Sequence, residues 1–164
     1  MRRLETHLEG PILLEPDVHG DARGFFLESY RANVWAAHGI GDVFVQDNHS
    51  RSGRGVLRGM HFSIGDGQAK LVRCARGTIL DVAVDIRPGS PSFGGWETQQ
   101  LDDRDHRQFY VPDGFAHGFC VLSDVADVTY KCSTYYDPAV ERGFRYNDPD
   151  VAIDWPQDVE LLVS

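Results

Sequence analysis

Short apolar segments separated by turn residues recur along most of the chain. Val, Ile, Phe and Tyr are concentrated in these segments, and Gly and Pro stand between them. In residues 78–86, apolar and polar positions alternate as they do in a strand with two different faces. On this pattern, strands are predicted at residues 43–45, 71–74, 78–86, 108–111, 119–122 and 126–132.

One segment has a helical pattern, Ser29 to His38, with Ser29 as its candidate N-cap. Many short strands, frequent turns and one short helix predict an all-β sandwich or barrel, because a parallel α/β fold would need helices between its strands. The pattern does not separate a jelly roll from another β-barrel. A length of 164 residues predicts a single domain spanning residues 1–164.

Composition narrows the function classes. The net charge of −9 opposes non-specific binding to nucleic acid, which needs Lys and Arg to neutralise phosphates. No apolar run approaches the roughly 18 residues of a membrane span, and no apolar segment follows Met1-Arg2-Arg3, so we expect neither membrane insertion nor secretion but a cytoplasmic location. Three cysteines without paired spacing predict buried, reduced thiols at Cys74, Cys120 and Cys132.

Basic residues are unevenly distributed in this acidic chain. Six of them lie between Arg51 and Arg76, against the single acidic residue Asp66. Such a segment is typical of a pocket for a small anionic ligand, and it is equally typical of a solvated face.

A polar strand face lies in the same region. Gln46, Asn48 and Ser50 alternate with other residues and therefore share one face. Arg58 and His61 can join a single face only if a bend or bulge intervenes, because a spacing of three otherwise puts them on opposite sides. Amide, guanidinium and imidazole groups together indicate a site for an anionic, hydroxyl-rich ligand.

Two more candidates are ambiguous when taken alone. His117 lies among small and apolar residues in a turn rich in Pro and Gly, and a single histidine there is more often a hydrogen-bonded core residue. Tyr130 lies in an apolar strand and could be an ordinary barrel aromatic.

Nine short motifs follow one another along the chain: RGFFLE at 23–28, QDNHS at 46–50, VLRGMH at 56–61, KLVR at 70–73, DVAVDIR at 81–87, SPSFG at 90–94, PDGFAHGF at 112–119, YK at 130–131 and NDP at 147–149. Together they resemble the dTDP-4-dehydrorhamnose 3,5-epimerase family. The resemblance runs from about Pro16 to Pro156 and so covers nearly the whole chain.

The resemblance implies an all-β, double-stranded β-helix (cupin or jelly-roll barrel) with a few short helices. It implies a homodimer in which N-terminal strands within residues 1–30 contribute to the partner. The family is a cofactor-independent isomerase of rhamnose biosynthesis that inverts C3 and C5 of dTDP-4-dehydro-6-deoxy-glucose through an enolate. It uses no metal, and the segment around His61 offers one histidine where familiar metal-binding cupins carry an HxH pair followed by Glu.

By the same resemblance, Tyr130 is the acid on the opposite face. His61 suits the base at neutral pH, because the ordinary pKa of an imidazole is about 6.5. We expect Lys70 to hold the enolate oxygen. Arg58 and Arg23 suit the diphosphate, because guanidinium groups bind phosphate oxygens in pairs. The remaining expected ligand contacts are Glu28 and Arg23 from the partner, and Gln46, Asn48, His117 and Tyr136.

Two departures from the family pattern keep alternatives open. The family pairs its catalytic histidine with an aspartate in a C-terminal segment, and no counterpart follows Trp155-Pro156 in this sequence. Either the sequence is truncated before that aspartate, or another carboxylate such as Asp81 serves. Ser63 stands where the family commonly has Gln. Three alternatives to the 3,5-epimerase function remain. They are a 3- or 5-epimerase for another dTDP-4-keto-6-deoxysugar, a non-catalytic sugar-nucleotide-binding cupin, and a metal-dependent cupin oxygenase or isomerase.

Overall fold

Antiparallel strands make up most of the regular structure in the computed structural model, which describes residues 1–163. Within these residues there are fourteen strands and one helix: β1 (Arg2–Leu4), β2 (Ile12–Glu15), β3 (Val18–Asp21), β4 (Gly24–Leu27), α1 (Ala32–Ala37), β5 (Gln46–Gly53), β6 (Val56–Ser63), β7 (Lys70–Arg76), β8 (Thr78–Asp85), β9 (Trp96–Asp102), β10 (Gln108–Val111), β11 (Phe115–Val121), β12 (Val125–Cys132), β13 (Glu141–Gly143) and β14 (Leu162–Val163).

Two large sheets are built from strands that are far apart in sequence. The first has the order β1-β2-β10-β7-β12-β5, and the second has the order β13-β6-β11-β8-β9, with β14 added to β6 in parallel. Strands β3 and β4 form a separate two-stranded hairpin. The two facing antiparallel sheets make a cupin-type double-stranded β-helix, as expected from the sequence.

The main core lies between the two sheets, and alternate residues of both sheets supply it. Val72 and Phe109 come from the first sheet, Ile79 and Phe115 from the second, and all are buried in one cluster. The strand residues between them point to the outer faces of the sheets and form two further clusters, in which Trp35 of α1 covers the first sheet and Trp155 covers the second. Side chains that point inward therefore either join this core or line whatever space it leaves.

A β-bulge in β6 aligns two of the predicted polar residues. His61 lies opposite His117 and Arg58 lies opposite Phe119, so three steps along β6 match two steps along β11. Gly59 sits in the bulge at φ 136°, and a Cβ there would lie 2.6 Å from the Cα of Gly118, so only glycine fits. Because of this bulge, Arg58 and His61 both face the interior between the sheets. This confirms the prediction that the two residues share a face only if a bend or bulge lies between them.

The predicted helix is wrong in its limits, and one predicted strand is absent. The helix begins at Ala32, and Arg31 occupies the N-cap position. Ser29 is not the cap, because it lies two residues before Arg31; its carbonyl accepts a hydrogen bond from Gln108 Nε2 at 2.8 Å. Residues 43–45 are not a strand, since the Phe44 ring packs edge-on against Tyr30 beside the helix, with 5.5 Å between ring centroids, and β5 starts only at Gln46.

The three thiols are buried and unpaired, as predicted. Within residues 1–163, no helix has the length and apolar character that crossing a bilayer requires.

Candidate active site

A cavity of about 200 Å³ lies between the sheets where the apolar core gives way to polar side chains. The first sheet contributes one residue from each of β5, β7 and β12, and the second sheet contributes residues of β6, β11 and β13. The eight lining residues are Ser50, Lys70, Tyr130, Arg58, His61, His117, Phe119 and Glu141. A ligand in this cavity would therefore have one sheet on each side.

His61 and Tyr130 face this cavity from opposite sheets. The His61 side chain is 52% exposed, and burial of its other part lowers its pKa below the ordinary 6.5. The carboxylate of Glu141 opposes this shift, whereas Lys70 and His117 add to it. A lowered pKa keeps the imidazole neutral at neutral pH, which is the form that accepts a proton.

Burial also shifts the pKa of Tyr130 and of Lys70, each toward its neutral form. The Tyr130 phenol has a raised pKa, an effect that Asn48 and Arg58 oppose. The Lys70 ammonium has a lowered pKa, which nearby acidic groups partly restore. Both groups stand in β-strands of the first sheet, so a rigid scaffold fixes their positions across from His61.

His117 and Asp81 form a buried pair. His117 Nε2 lies 2.9 and 3.1 Å from the two carboxylate oxygens of Asp81, and both residues are almost fully buried. Burial raises the pKa of Asp81, and the neighbouring His117 and Lys70 oppose this rise. An ionised carboxylate can only accept, so it fixes the His117 tautomer with the proton on Nε2.

The expected pairing of Asp81 with His61 is therefore wrong. Asp81 does point inward, but β11 lies between β8, which carries Asp81, and β6, which carries His61. His117 on β11 thus reaches the carboxylate first.

Three expected ligand contacts lie next to the cavity lining and not in it, where Asn48 adjoins Tyr130 and Tyr136 adjoins Glu141. Gln46 Oε1 accepts a hydrogen bond from the Tyr136 backbone N–H at 2.8 Å, and Gln46 Nε2 donates to Asn48 Oδ1 at 3.1 Å. Gln46, Asn48 and Ser50 share the inward face of β5, as predicted. Arg58 is inside the cavity, where its Nε donates to Ser52 Oγ at 3.1 Å.

Two expected contacts are not in the cavity of this chain. Arg23 lies in the turn of the β3–β4 hairpin, where its 90% exposed side chain pairs with Asp21. Glu28 follows the hairpin and pairs with Arg31 at 3.3 Å.

Sequence reasoning placed Ser50 on the polar face of β5 without giving it a role in the site, and it missed two further lining residues, Phe119 and Glu141. Ser50 carried a signal, because it alternates with Gln46 and Asn48; its hydroxyl is buried and has no hydrogen-bond partner within residues 1–163. Glu141 carried none, because β13 is only three residues long and reaches the cavity by pairing with β6, far away in sequence. In the described part of the chain, no three His, Cys, Asp or Glu residues are grouped as metal ligands.

The cavity of this cupin-type barrel contains an imidazole and a phenol on opposite sides, with an ammonium group in the same lining. These groups define a class of proteins that can transfer protons to and from a polar ligand. Comparison with known proteins identifies the family within this class. The family model for dTDP-4-dehydrorhamnose 3,5-epimerase matches residues 5–164. The chain belongs to the dTDP-4-dehydrorhamnose 3,5-epimerase family.

Individual relatives agree with this assignment. A dTDP-4-dehydrorhamnose 3,5-epimerase of Pseudomonas aeruginosa is 53% identical over 164 residues, which are 99% of this chain and 91% of the relative. The crystal structure of a dTDP-6-deoxy-D-glucose-3,5-epimerase of Legionella pneumophila in complex with dTDP-4-keto-L-rhamnose has a TM-score of 0.96 and 48% identity, covering 99% of this chain and 87% of that one. A dTDP-4-dehydrorhamnose 3-epimerase of Streptomyces niveus is 45% identical, covering 99% of this chain and 79% of the relative.

Proposed function

We propose that this chain is a dTDP-4-dehydrorhamnose 3,5-epimerase that inverts C3 and C5 of dTDP-4-dehydro-6-deoxy-glucose without a cofactor. The observation that carries the proposal is that His61 and Tyr130 line one cavity from opposite sheets, with Lys70 beside them. Inversion at carbon needs a base on one face and an acid on the other, and this arrangement supplies both.

The chemistry starts from the C4 ketone, which acidifies the hydrogens on C3 and C5. His61 takes one of these protons, the C–H electron pair moves into an enolate, and the negative charge collects on the ketone oxygen. Lys70 stabilises this oxygen, and loss of one such preorganised donor typically costs about 10²–10³ in rate. Tyr130 then gives its phenolic proton to the opposite face of the carbon. The imidazolium of His61 releases its proton to solvent and the Tyr130 phenolate takes one up, so both groups return to their starting states.

The rest of the lining binds and orients the ligand. His117, held by Asp81, lies beside His61 and presents a fixed imidazole to the sugar. Arg58 brings a guanidinium group to the diphosphate, and a fork of this kind binds two phosphate oxygens at once. Asn48 and Tyr136 adjoin the lining residues Tyr130 and Glu141, and together with Gln46 they contact the nucleotide and the sugar.

We propose further that two copies of this chain complete each other's sites in a cytoplasmic homodimer. Phe25 and Phe26 on the β3–β4 hairpin are 61% and 71% exposed, as expected for a hairpin that a second copy covers. Arg23 and Glu28 flank these rings outside the cavity of their own chain, so they are placed to reach the partner's ligand. The three free thiols fit a reducing compartment.

A second candidate function is inversion at one carbon only. The Streptomyces niveus relative, named as a 3-epimerase, is nearly as similar as several of the 3,5-epimerases. One base and one acid can serve either carbon, so the two functions differ in the product and not in the type of chemistry.

The test is the product formed from dTDP-4-dehydro-6-deoxy-glucose, identified by NMR. We expect inversion at C3 and C5 with the parent chain; inversion at C3 alone would support the second candidate, and ligand binding without turnover would contradict both.

A variant of the proposed acid tests the mechanism. Tyr130→Phe should lose inversion more than proton exchange. Tyr146→Phe, which removes a hydroxyl from the outer side of the second sheet, is the matched control. Parental inversion by Tyr130→Phe would remove Tyr130 from the mechanism.

A further inference from the structure

Arg58 is held differently from Arg51, the arginine on the neighbouring strand β5. Arg51 donates its Nε and Nη2 to the carboxylate of Asp127, at 2.7 and 2.8 Å. Arg58 donates only its Nε, at 3.1 Å, and the acceptor is the neutral hydroxyl of Ser52. Within residues 1–163, the two terminal nitrogens of Arg58 are left without a protein acceptor in the lining of the cavity.

The kind of acceptor decides what an arginine can still bind. A carboxylate neutralises the guanidinium charge and occupies its planar fork, as Asp127 does for Arg51. A hydroxyl fixes the direction of the Nε–H bond and leaves both the charge and the terminal N–H groups for another acceptor. Arg58 is therefore oriented but not neutralised, which is the state that suits a phosphate ligand.

Ser52 is itself held firmly. It lies on the inward face of β5, two residues after Ser50, and is 8% exposed, whereas Arg58 is exposed. Its backbone pairs with that of Ala126 on β12. Because β5 and β6 belong to different sheets, the hydrogen bond from Arg58 to Ser52 crosses from one sheet to the other, close to the turn that joins the two strands.

We propose that Ser52 is the positioning residue for Arg58: by accepting the Nε–H bond, it holds the guanidinium group so that both terminal nitrogens face the diphosphate of the ligand. This inference rests on the proposed function, which puts the diphosphate at Arg58, and adds a residue to it. A free arginine side chain has many rotamers, and ordering it on binding costs conformational entropy. The hydrogen bond to Ser52 supplies part of that ordering before the ligand enters.

The effect of Ser52 should fall on binding and not on the chemical step. No bond to phosphorus changes when a proton moves on the sugar, so the diphosphate has the same charge in the ground state and in the transition state. Groups that bind it stabilise both states equally. Loss of the Ser52 hydroxyl should therefore raise KM and leave kcat within about twofold of the parental value.

The decisive variant is Ser52→Ala, and its readout is the dissociation constant of dTDP, measured by calorimetry with the full chain. We expect the Kd to rise about three- to tenfold, the ratio that corresponds to losing one hydrogen bond of ordinary net strength. Ser52→Thr keeps the hydroxyl acceptor and should retain the parental Kd. Ser92→Ala is the matched control, because it removes a serine hydroxyl that donates to the charged Asp85 outside the cavity lining. Its Kd should equal that of the parent.

A double variant shows whether Ser52 acts through the arginine. Arg58→Ala should weaken dTDP binding by about tenfold or more, since the ligand loses a charged donor. Adding Ser52→Ala to it should have no further effect, because the group that Ser52 positions is gone. If Ser52→Ala fails to fold, Ser52→Thr is compared with Ser52→Val, which has the same shape without the hydroxyl, and valine alone should weaken binding.

Equal Kd values for Ser52→Ala and Ser92→Ala would overturn the proposal. An equal loss of affinity with and without the Arg58 side chain would also overturn it, as would a fall of kcat at an unchanged KM. If the parent chain binds dTDP and shows no epimerisation, the proposed function fails, while the Kd values still decide the link between Ser52 and Arg58. If the parent chain binds no dTDP, both fail.

Discussion

Two aspartates on one strand provide the most instructive contrast in the molecule. Asp81 and Asp85 lie four residues apart on β8, point to the same side and are both 0% exposed. Yet their pKa values move in opposite directions: burial raises that of Asp81, whereas the Arg87 guanidinium and its neighbours hold that of Asp85 well below its usual range.

The contrast arises from the number of donors. Asp85 accepts five hydrogen bonds at 2.6–3.0 Å, three from Arg87 and one each from Ser90 and Ser92. Asp81 faces a single side-chain donor within residues 1–163, His117. A carboxylate with all its acceptor positions filled stabilises a turn, whereas one with a single histidine partner keeps acceptor capacity and controls that histidine. Two equally buried aspartates can therefore have different roles, one in the site and one in a turn.

Replacing Asp81 should break the active site and leave the fold intact. We expect Asp81→Asn to lower kcat/KM by about 10–100-fold, because His117 loses the charge that fixes its tautomer. Its unfolding free energy should stay at or above the parental value, since the variant no longer buries a charge. Steady-state kinetics and urea unfolding measure the two effects. A destabilised variant with normal kcat/KM would reverse the assignment of the two aspartates.

Replacing Asp85 should have the opposite pattern. We expect Asp85→Asn to lower the unfolding free energy by about 1–3 kcal/mol, because three donors of Arg87 and two hydroxyl groups lose a charged acceptor. The activity per folded molecule should not change, since the Arg87 turn lies outside the cavity lining. Urea unfolding together with kinetics at a temperature well below the melting point tests this, and a loss of activity in fully folded protein would contradict it.

A smaller change sharpens the same point. Ser92→Ala removes one of the five donors to Asp85, and we expect it to lower the unfolding free energy by about 1 kcal/mol. Ser50→Ala removes a cavity hydroxyl that has no protein partner in the described chain, so it should leave stability unchanged. Thermal melts of the two variants compare them directly. Equal destabilisation would mean that hydroxyl burial, and not donor count, controls the effect.

The smallest effect is on the pH dependence of stability, and it should differ in sign between the two sites. Because the folded pKa of Asp85 is lowered, its contribution is present above the unfolded value of about 3.8 and is lost as the pH falls through the folded value. The folded pKa of Asp81 is raised, so its effect on stability becomes unfavourable as the pH rises above about 3.8.

Urea unfolding across acidic pH tests both signs. The unfolding free energy of the parent should fall toward that of Asp85→Asn at low pH. The unfolding free energy of Asp81→Asn should increase relative to that of the parent as the pH rises. Parallel curves for all three proteins would contradict this.

The sequence predicted β8, whose apolar and polar positions alternate, and it missed β9, whose largest buried polar residue is a carboxylate. Residues 78–86 correspond to β8, whereas the sequence WETQQLD of β9 has no such alternation. Of its two buried residues, Glu97 is a carboxylate that accepts hydrogen bonds from the backbone N–H groups of His7 and Leu8. Only the fold could reveal that partner, since it lies about ninety residues away.

The candidate site shows the same limit. Inward residues such as Gln46, Asn48 and Tyr130 follow from alternation and resemblance, but the partner of each side chain depends on which strands are neighbours. Asp81 was expected near His61 and contacts His117, because the order of strands in the second sheet puts β11 between them. Glu141 reaches His61 through the same kind of non-local pairing.

The central claim is that His61 exchanges carbon-bound protons of a 4-keto sugar nucleotide with solvent. Incubating the chain with dTDP-4-dehydro-6-deoxy-glucose in deuterated water, and reading the sugar by mass and NMR, tests this directly. We predict deuterium at both C3 and C5 with the parent chain and at neither with His61→Ala. Undiminished incorporation by His61→Ala, or none by the parent chain, would contradict the account.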